Sequence, residues 1–113
     1  METNEALSAL AALAQETRLA IFRQLVVAGP EGMSVGRIGE ALEVAPATLS
    51  FHLKELARAG LIRSRRESLY IWYTANYEAM NGLIAYLGEN CCQGRTCCAP
   101  EKPVAAKRRK VPA

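Results

Sequence analysis

Long apolar runs and a secretory leader are both missing from this sequence. No stretch of the 113 residues approaches the roughly 18 consecutive apolar residues that a membrane-spanning helix needs. The first ten residues, METNEALSAL, contain acidic side chains and no basic segment, which is not the pattern of a signal peptide. We therefore expect a cytoplasmic protein, whose thiols stay reduced or bind a ligand instead of forming disulfides.

Catalytic signatures are also scarce. The chain has one histidine, His52, and it stands far in sequence from the four cysteines. There is no phosphate-binding loop and no strand–helix alternation of the kind that forms an α/β pocket. We predict that the protein is not an enzyme, and a thiol-based reductase is the weaker interpretation of its cysteines.

The charge is distributed unevenly along the chain. Residues 1–98 hold nine basic and ten acidic side chains, so the net charge of +3 arises from residues 99–113, a basic tail that we predict to be disordered. Half of all residues are apolar, which suffices for one modest core. A nucleic-acid surface on the body would need local clustering, and one basic cluster is present: Lys54, Arg58, Arg63, Arg65 and Arg66.

Hydrophobic spacing and turn residues predict five helices and one β-hairpin. The segment after Gly60 favours two antiparallel strands joined near Glu67–Ser68, because it is rich in β-branched and aromatic residues. The predicted order is α-α-α-α-β-β-α, mainly α with a small β-hairpin, which is typical of a winged helix-turn-helix. The residues expected to begin or end helices are Thr3 or Asn4, Thr17, GPEG (29–32), Ser34, Pro46, Arg58, Gly60 and Asn76.

The fourth predicted helix has the composition of a DNA-reading element. Its inner face is apolar and consists of Leu49, Leu53, Leu56 and Ala57. Its outer face begins with small residues and continues with polar and basic ones, which allows close approach to base edges in a major groove. The outer residues are Ala47, Thr48, Ser50, Phe51, His52 and Lys54. An amphipathic helix with a merely solvated outer face is the alternative.

The hairpin supplies arginines for the DNA backbone. Arg65 and Arg66 are expected to contact phosphates, which fixes the docking without reading sequence. On the fourth helix, Phe51 is suited to contact a thymine methyl group. His52 has three interpretations: it reads a base, binds a phosphate or covers the third helix, and its expected place on the outer face favours the first two.

Two phrases of the chain resemble the ArsR/SmtB family of bacterial metal-responsive repressors. They are ALAQETRLAIFRQL and, further along, ATLSFHLKELARAGLIRSRRESLYIWYTA. The resemblance covers roughly residues 7–90 and implies a dimeric winged helix-turn-helix whose first and last helices form the dimer interface. That interface would cover two apolar stripes, one made by Leu7, Leu10 and Leu13 and the other running from Met80 to Leu87.

Members of this family bind their ligands at different places, and two common sites are absent from this chain. Several relatives carry a C-x-C motif in the third helix, where this sequence reads GRIGEALEV. Zinc-sensing relatives place Asp and His ligands along the last helix, and here NYEAMNGLIAYL has no histidine. The credible ligands are therefore the four cysteines, Cys91, Cys92, Cys97 and Cys98.

Thiolate-only sites favour soft ions, and trivalent arsenic or antimony takes three sulfur ligands as a pyramid. Cys91, Cys92 and Cys98 form a CC-x5-C pattern that resembles arsenic repressors with a C-terminal site, and Cys97 is a possible substitute for Cys98. Gly94 tolerates positive φ and so permits the chain reversal that this set requires. The open alternatives are a structural Zn(Cys)4 site, Cd(II) or Pb(II) sensing, and redox sensing by disulfide formation between the two cysteine pairs.

These inferences divide the chain into three parts. Residues 1–90 are the predicted DNA-binding and dimerisation domain, residues 91–98 the metalloid-binding loop, and residues 99–113 the basic tail. The expected function is a homodimeric transcriptional repressor that binds double-stranded promoter DNA. Binding of As(III) or Sb(III), as inducer, is expected to release it, and no catalytic cofactor is expected.

Overall fold

The computed structural model describes residues 1–94. Cys97, Cys98 and the predicted tail, residues 99–113, lie outside the described residues, so the predictions about them stay predictions. The predicted order of helices and hairpin is confirmed. The elements in the described part are α1 (Thr3–Leu13), α2 (Glu16–Ala28), β1 (Met33–Ser34), α3 (Val35–Leu42), α4 (Pro46–Arg58), β2 (Ile62–Glu67), β3 (Tyr70–Ala75), α5 (Tyr77–Leu87) and a short 3₁₀ turn (Cys91–Gly94).

Four predicted helix boundaries are confirmed. Ser34 and Asn76 cap α3 and α5, and each side-chain oxygen accepts the backbone N–H three residues further on, at 3.3 and 3.2 Å. Pro46 is the first residue of α4, where its missing N–H is not needed. Gly60 follows the end of α4 with a φ of +79°, a left-handed conformation that glycine adopts without strain.

Two predicted helix starts are wrong by one or two residues. Glu2 is the N-cap of α1 and stands ahead of both predicted candidates, Thr3 and Asn4, which are helical. Gln15 caps α2, because its side chain accepts a backbone N–H of the first turn at 2.8 Å, so the predicted Thr17 lies inside the helix. At the start of α2, the longer side chain of Gln15 performs the role that Ser, Thr, Asp and Asn usually have.

The predicted hairpin is confirmed, and its ends are well defined. Antiparallel pairing runs from Ile62 opposite Ala75 to Glu67 opposite Tyr70. Ser68 makes the turn with a φ of +58°, although it is not a glycine. Because successive residues of a strand point to opposite faces, the arginines of β2 are divided between the two sides of this wing.

A third strand was not predicted from the sequence. β1 pairs with β3 on the side away from β2, with Met33 opposite Tyr73 and Ser34 opposite Trp72, and the strand order is β1-β3-β2. A strand of only two residues is too short to show the alternation of apolar and polar side chains by which strands are recognised in a sequence. The consequence is that the segment between α2 and α3 is tied to the wing.

Gly32 stands just before β1 and has a position that only glycine fits. Its φ is +79°, and a Cβ there would collide with the carbonyl oxygen of Tyr73 and the methyl group of Thr74. We predict that Gly32→Ala lowers the free energy of unfolding by about 2 kcal/mol or more, because both strain and a backbone clash arise. Urea denaturation followed by circular dichroism measures this effect.

The matched control is Gly36→Ala in α3, where a Cβ would meet open space. Alanine is the better helix former, so this variant is expected to gain roughly 0.5–1 kcal/mol. Equal stabilities of the Gly32 and Gly36 variants would contradict the argument.

The core lies where α2, α4 and the hairpin meet, and it confirms the inner face of α4 only in part. Leu49, Leu53 and Leu56 are buried as predicted, but Ala57 is exposed. On α1, the buried side chains are alanines at positions 6, 9 and 12. The larger Leu7 and Leu10 are 58% and 40% exposed, so these two members of the predicted leucine stripe point away from the core of their own chain, whereas Leu13 packs against it. Within residues 1–94, no helix is long and apolar enough to cross a membrane.

Candidate DNA-binding surface and cysteine turn

The outer face of α4 is open to solvent. Ala47, Thr48, Ser50 and Lys54 are exposed, and Phe51 is 55% exposed. The N-cap residue of α4 is an alanine, which offers no side-chain hydrogen bond to the first turn. The face therefore presents small residues and uncapped N–H groups first, then a hydroxyl, an aromatic ring and an ammonium, a combination that suits a DNA groove and its phosphates.

His52 does not belong to this face, and its predicted position is wrong. It is 8% exposed, and its Nδ1 lies 3.3 Å from Nη1 of Arg18 in α2. The physical reason is the helical repeat: position 52 stands three residues after Leu49 and one before Leu53, which is inside the buried stripe. A side chain that is buried in this way does not reach a base edge.

Arg18 is a residue that the sequence interpretation missed. It stands three and four residues before Ile21 and Phe22, two buried residues of α2, and is itself only partly exposed. The signal was a charged residue on an apolar helical stripe. Burial, and then the charge of Arg18, lower the pKa of His52 below its ordinary value of 6.5, while Glu55 acts in the opposite direction.

The two arginines of the wing that are predicted to contact phosphates, Arg65 and Arg66, have different surroundings. Arg65 is held in place: its Nη1 donates to the carbonyl oxygen of Glu31 at 3.2 Å, its Nε lies 3.4 Å from Glu67 Oε2, and its guanidinium lies 5.4 Å from the ring centre of Trp72. Arg66, on the opposite face of β2, is exposed and forms no ion pair with any of residues 1–94. Arg66 is thus the more available of the two for a phosphate.

The cysteines begin where α5 ends, in backbone that has left helical geometry. Asn90, Cys92, Gln93 and Gly94 have φ values of +57°, +55°, +59° and +88°. This left-handed run brings the sulfur atoms of Cys91 and Cys92 to within 3.5 Å of each other. Cys91 is exposed and Cys92 is half-buried. Since a thiolate–metal bond is about 2.3 Å long, one soft ion can contact both sulfurs.

A complete ligand set is not assembled in the described part of the chain. Among residues 1–94, no group of three or more His, Cys, Asp or Glu side chains is arranged to hold a metal ion. Any third thiolate beside Cys91 and Cys92 must therefore come from Cys97 or Cys98, which lie outside the described residues.

Apolar side chains are exposed on α1 and α5, which are neighbours. The two helices are joined by a 2.7 Å hydrogen bond between the hydroxyl groups of Thr3 and Tyr86. In each helix, two large apolar residues three positions apart are exposed, which places them on one face of that helix. They are Leu7 (58%), Leu10 (40%), Ile84 (61%) and Leu87 (62%).

A short helix, a turn, a helix with an exposed polar face and an arginine-bearing hairpin define a winged helix-turn-helix DNA-binding protein. Residues 13–65 match the family model of a helix-turn-helix domain. Among solved structures, the chain is similar to an ArsR-like transcriptional regulator from Rhodococcus (30% identity, 74% of this chain and 76% of that one, TM-score 0.66). It is also similar to HlyU from Vibrio cholerae (34%, 82% and 100%, TM-score 0.63), which has been solved in a reduced form as well.

Curated relatives lead to the family. The chain is 35% identical over 95 residues to the transcriptional activator HlyU of Vibrio cholerae, covering 82% of this chain and 85% of that protein. It is 37% identical over 81 residues to the arsenical resistance operon repressor of Bacillus subtilis, covering 72% and 73%. The regulator YceK of Bacillus subtilis is 46% identical over 57 residues, only 50% of this chain and 56% of that protein. The chain belongs to the ArsR/SmtB family, and it is a transcriptional regulator, not an enzyme.

A further solved structure shares the fold. The homodimeric winged helix-turn-helix domain Mb0332 from Mycobacterium bovis is 22% identical, covers 81% of this chain and 85% of that one, and has a TM-score of 0.63. At this identity the comparison supports the fold alone. The dimeric state is a property of that protein.

Proposed function

We propose that this regulator is a homodimeric repressor that binds promoter DNA through α4 and the wing and is released by trivalent arsenic or antimony. The observation that carries the proposal is the pair of sulfur atoms of Cys91 and Cys92, 3.5 Å apart in a non-helical turn. Cys98 would supply the third thiolate, with Cys97 as its substitute. The similarity to the arsenical resistance operon repressor of Bacillus subtilis supports this choice of inducer.

The apolar faces of α1 and α5 support the dimer. Leu7, Leu10, Ile84 and Leu87 are exposed in the single chain, and burying each against a second copy is worth roughly 1.5–3 kcal/mol at most. A two-fold dimer would present two copies of α4 to two half-sites of an inverted repeat. The cysteine turn (Cys91–Gly94) comes shortly after the end of α5 at Leu87. Closing this turn around an ion would therefore act on a helix that forms the proposed dimer interface.

The proposal is testable without knowledge of the operator sequence. A random duplex pool is enriched with the wild-type protein to give a selected duplex, and a shuffled version of it serves as the scrambled duplex. The proposal expects an inverted repeat in the selected duplex and its release by arsenite under strict reduction. Zn(II), Cd(II) and Pb(II) are titrated in parallel, and release by Cd(II) or Pb(II) but not by arsenite would assign a different inducer.

Redox sensing by a disulfide between the two cysteine pairs is a second candidate, because the thiol of Cys91 is exposed and the similar protein HlyU has been solved in a form described as reduced. In this case oxidation with diamide would release the selected duplex, and a reductant would restore binding. Arsenite in the presence of excess reductant would then have no effect. The two candidates therefore give opposite results in one pair of titrations.

Two residues on the outer face of α4 are predicted to have different roles: Ser50 contacts a base edge, and Lys54 binds a phosphate. Ser50→Ala should weaken binding of the selected duplex roughly tenfold and leave the scrambled duplex unaffected, because a hydroxyl at a base edge is lost. Lys54→Ala should weaken both duplexes alike and reduce the slope of log K against log salt by about 1. Fluorescence anisotropy at several salt concentrations measures both effects.

The matched control is Arg23→Ala, an exposed cation on α2 that leaves the proposed surface unchanged. It should alter neither affinity nor the salt slope. If Ser50→Ala reduces the affinities for the two duplexes equally, this face does not read sequence.

A further inference from the structure

Two polar residues of different helices contact each other at the edge of the core, and one of them is buried while the other is half-buried. Arg18 lies on the buried stripe of α2, three residues before Ile21 and seven before Leu25. His52 lies at the same kind of position within the leucine stripe of α4 and is 8% exposed. A buried polar group is tolerated when its hydrogen bonds are satisfied, so each of these residues depends on its partner.

The guanidinium of Arg18 connects three helices. Its Nη1 donates to His52 Nδ1 in α4 at 3.3 Å, and its Nε donates to the carbonyl oxygen of Ala12 in α1 at 2.7 Å. The Ala12 carbonyl belongs to the last turn of α1, where carbonyl groups lack a partner within the helix. The backbone N–H of Arg18 itself donates to the Gln15 cap at 2.8 Å. The end of α1 is thus linked to the middle of α4 by one rigid, planar group.

This arrangement requires a neutral imidazole. A guanidinium can only donate, so Nδ1 of His52 must accept and the ring proton must sit on Nε2. The charged groups acting on the ring are Arg18 from α2 and Glu55 from α4. Glu55 is itself paired with Arg58 at 3.2 Å. The pocket that Arg18 lines is bounded from α1 by Ser8, Ala11 and Ala12, none of which titrates, and its charged residues from α4 are Glu55 and Arg58.

We propose that Arg18 and His52 form a clamp that positions the recognition helix α4 for specific DNA binding, and that protonation of His52 opens this clamp. The clamp is separate from the cysteine turn, but it rests on the proposed DNA-binding function. Phe51 extends its effect to the outer face of α4, because its ring packs edge-on against His52 with 5.3 Å between ring centres. Both members are positioning residues, since neither reaches the exposed surface of α4.

The direction of the pH effect follows from the neutral ring. Burial and Arg18 lower the pKa of His52 in the folded protein, so the fold gains stability from the neutral form above pH 6.5. This stability is lost as the pH falls from 6.5 through the lowered pKa. Specific DNA affinity should fall in the same direction, because the protonated ring repels Arg18 and can no longer accept its hydrogen bond.

The first test compares the selected and scrambled duplexes between pH 7.5 and 5.5 with the full chain. His52 is the one histidine in the sequence, so no second imidazole contributes to a titration in this range. The wild-type protein should lose about tenfold or more of its preference for the selected duplex. His52→Asn, whose Oδ1 lies where Nδ1 of the imidazole lies and can accept from Arg18, should retain a preference that varies less than twofold with pH.

The second test separates geometry from charge. Arg18→Lys keeps the cation, but one ammonium does not reproduce the planar fork that reaches Ala12 and His52 together. It should lose about tenfold in affinity for the selected duplex at pH 7.5 and keep its affinity for the scrambled one. Arg23→Lys, exposed on the same helix, is the control and should be unchanged. Circular dichroism verifies that every variant is folded.

A spectroscopic measurement reports on the clamp itself. In nitrogen-15 NMR the single histidine should show an unprotonated Nδ1 and a protonated Nε2 at pH 7.5, and Arg18→Gln should raise the pKa of the ring toward 6.5. A pH dependence that survives in His52→Asn, wild-type affinity in Arg18→Lys, or the opposite tautomer would overturn the clamp. If the wild-type protein enriches no duplex at all, the proposed DNA function fails and the clamp has no role in it.

Discussion

Replacing Cys91 or Cys92 by serine is expected to abolish release of the selected duplex by As(III) while leaving the affinity for DNA unchanged. Serine has nearly the same shape as cysteine, but its hydroxyl is a hard, weakly acidic group that does not replace a thiolate on a soft ion. Neither residue belongs to the core or to the face of α4, so the fold and the DNA surface stay intact.

The size of the effect follows from the ligand count. Changing an outer-shell partner of a metal ligand usually costs 10–100-fold in affinity, so losing one of three thiolates should cost about 100-fold or more. The arsenite concentration for half-release, measured by fluorescence anisotropy under strict reduction, should rise by at least this factor. DNA affinity without arsenite should change less than twofold.

The cysteines outside the described residues provide the matched controls. If Cys98 is the third ligand, Cys98→Ser should lose the response and Cys97→Ser should keep it, and the reverse result would exchange their roles. A loss of DNA affinity in Cys91→Ser without any ion would assign the thiols to the fold instead. A full response of the variant without any cysteine would contradict the proposed inducer site.

Placing a carboxylate on the exposed face of α5 or α1 is expected to dissociate the dimer and reduce operator affinity by about 100-fold or more. Ile84→Asp and Leu7→Asp each introduce a charge where the proposed interface would remove it from water, which is strongly unfavourable without a partner. A monomer binds one half-site at a time and loses the gain from joining two half-sites. Light scattering and anisotropy with the selected duplex measure the two effects.

The control for this prediction is Val27→Asp on α2. Val27 is 85% exposed, more than Ile84 or Leu7, but lies on a different helix, so the dimer and the affinity should be preserved. If a single chain folds only as part of the dimer, the Ile84 variant will be unfolded. In that case the melting temperature of the wild-type protein will rise with its concentration. Dimers in all three variants would contradict an interface made by α1 and α5.

The sequence predicted those parts of the fold that depend on local backbone chemistry. Pro46 and Gly60 bracket α4 because one fixes φ and the other permits positive φ, and neither effect needs the rest of the chain. β1 was missed because a two-residue strand exists only through its pairing with Tyr73 and Trp72. The leucines of α1 were recognised as a stripe, but the buried face consists of the alanines between them.

The sequence predicted the residues of the candidate site that are recognisable from composition. It did not predict the position of His52, which depends on contacts between helices. The small and polar outer residues of α4 were recognised from their order. His52 was placed outside because polar residues are usually exposed, although its spacing from Leu49 and Leu56 fits the buried stripe. Only the distance to Arg18 explains why a polar ring is stable there. Sequence spacing does not decide whether Cys97 or Cys98 is the third ligand, because the two residues are adjacent.

The left-handed run from Asn90 to Gly94 has a consequence for the sensitivity of the proposed repressor. Three of its members, Asn90, Cys92 and Gln93, are not glycine. For Cys92 and Gln93 this conformation costs roughly 1–2 kcal/mol each, whereas asparagine tolerates it better. Strain of this kind lowers the population of the turn, and the apparent affinity for any ion that it captures falls in proportion to that population. The detection threshold for a toxic metalloid would then be adjustable through Asn90 and Gln93, without altering a single sulfur atom.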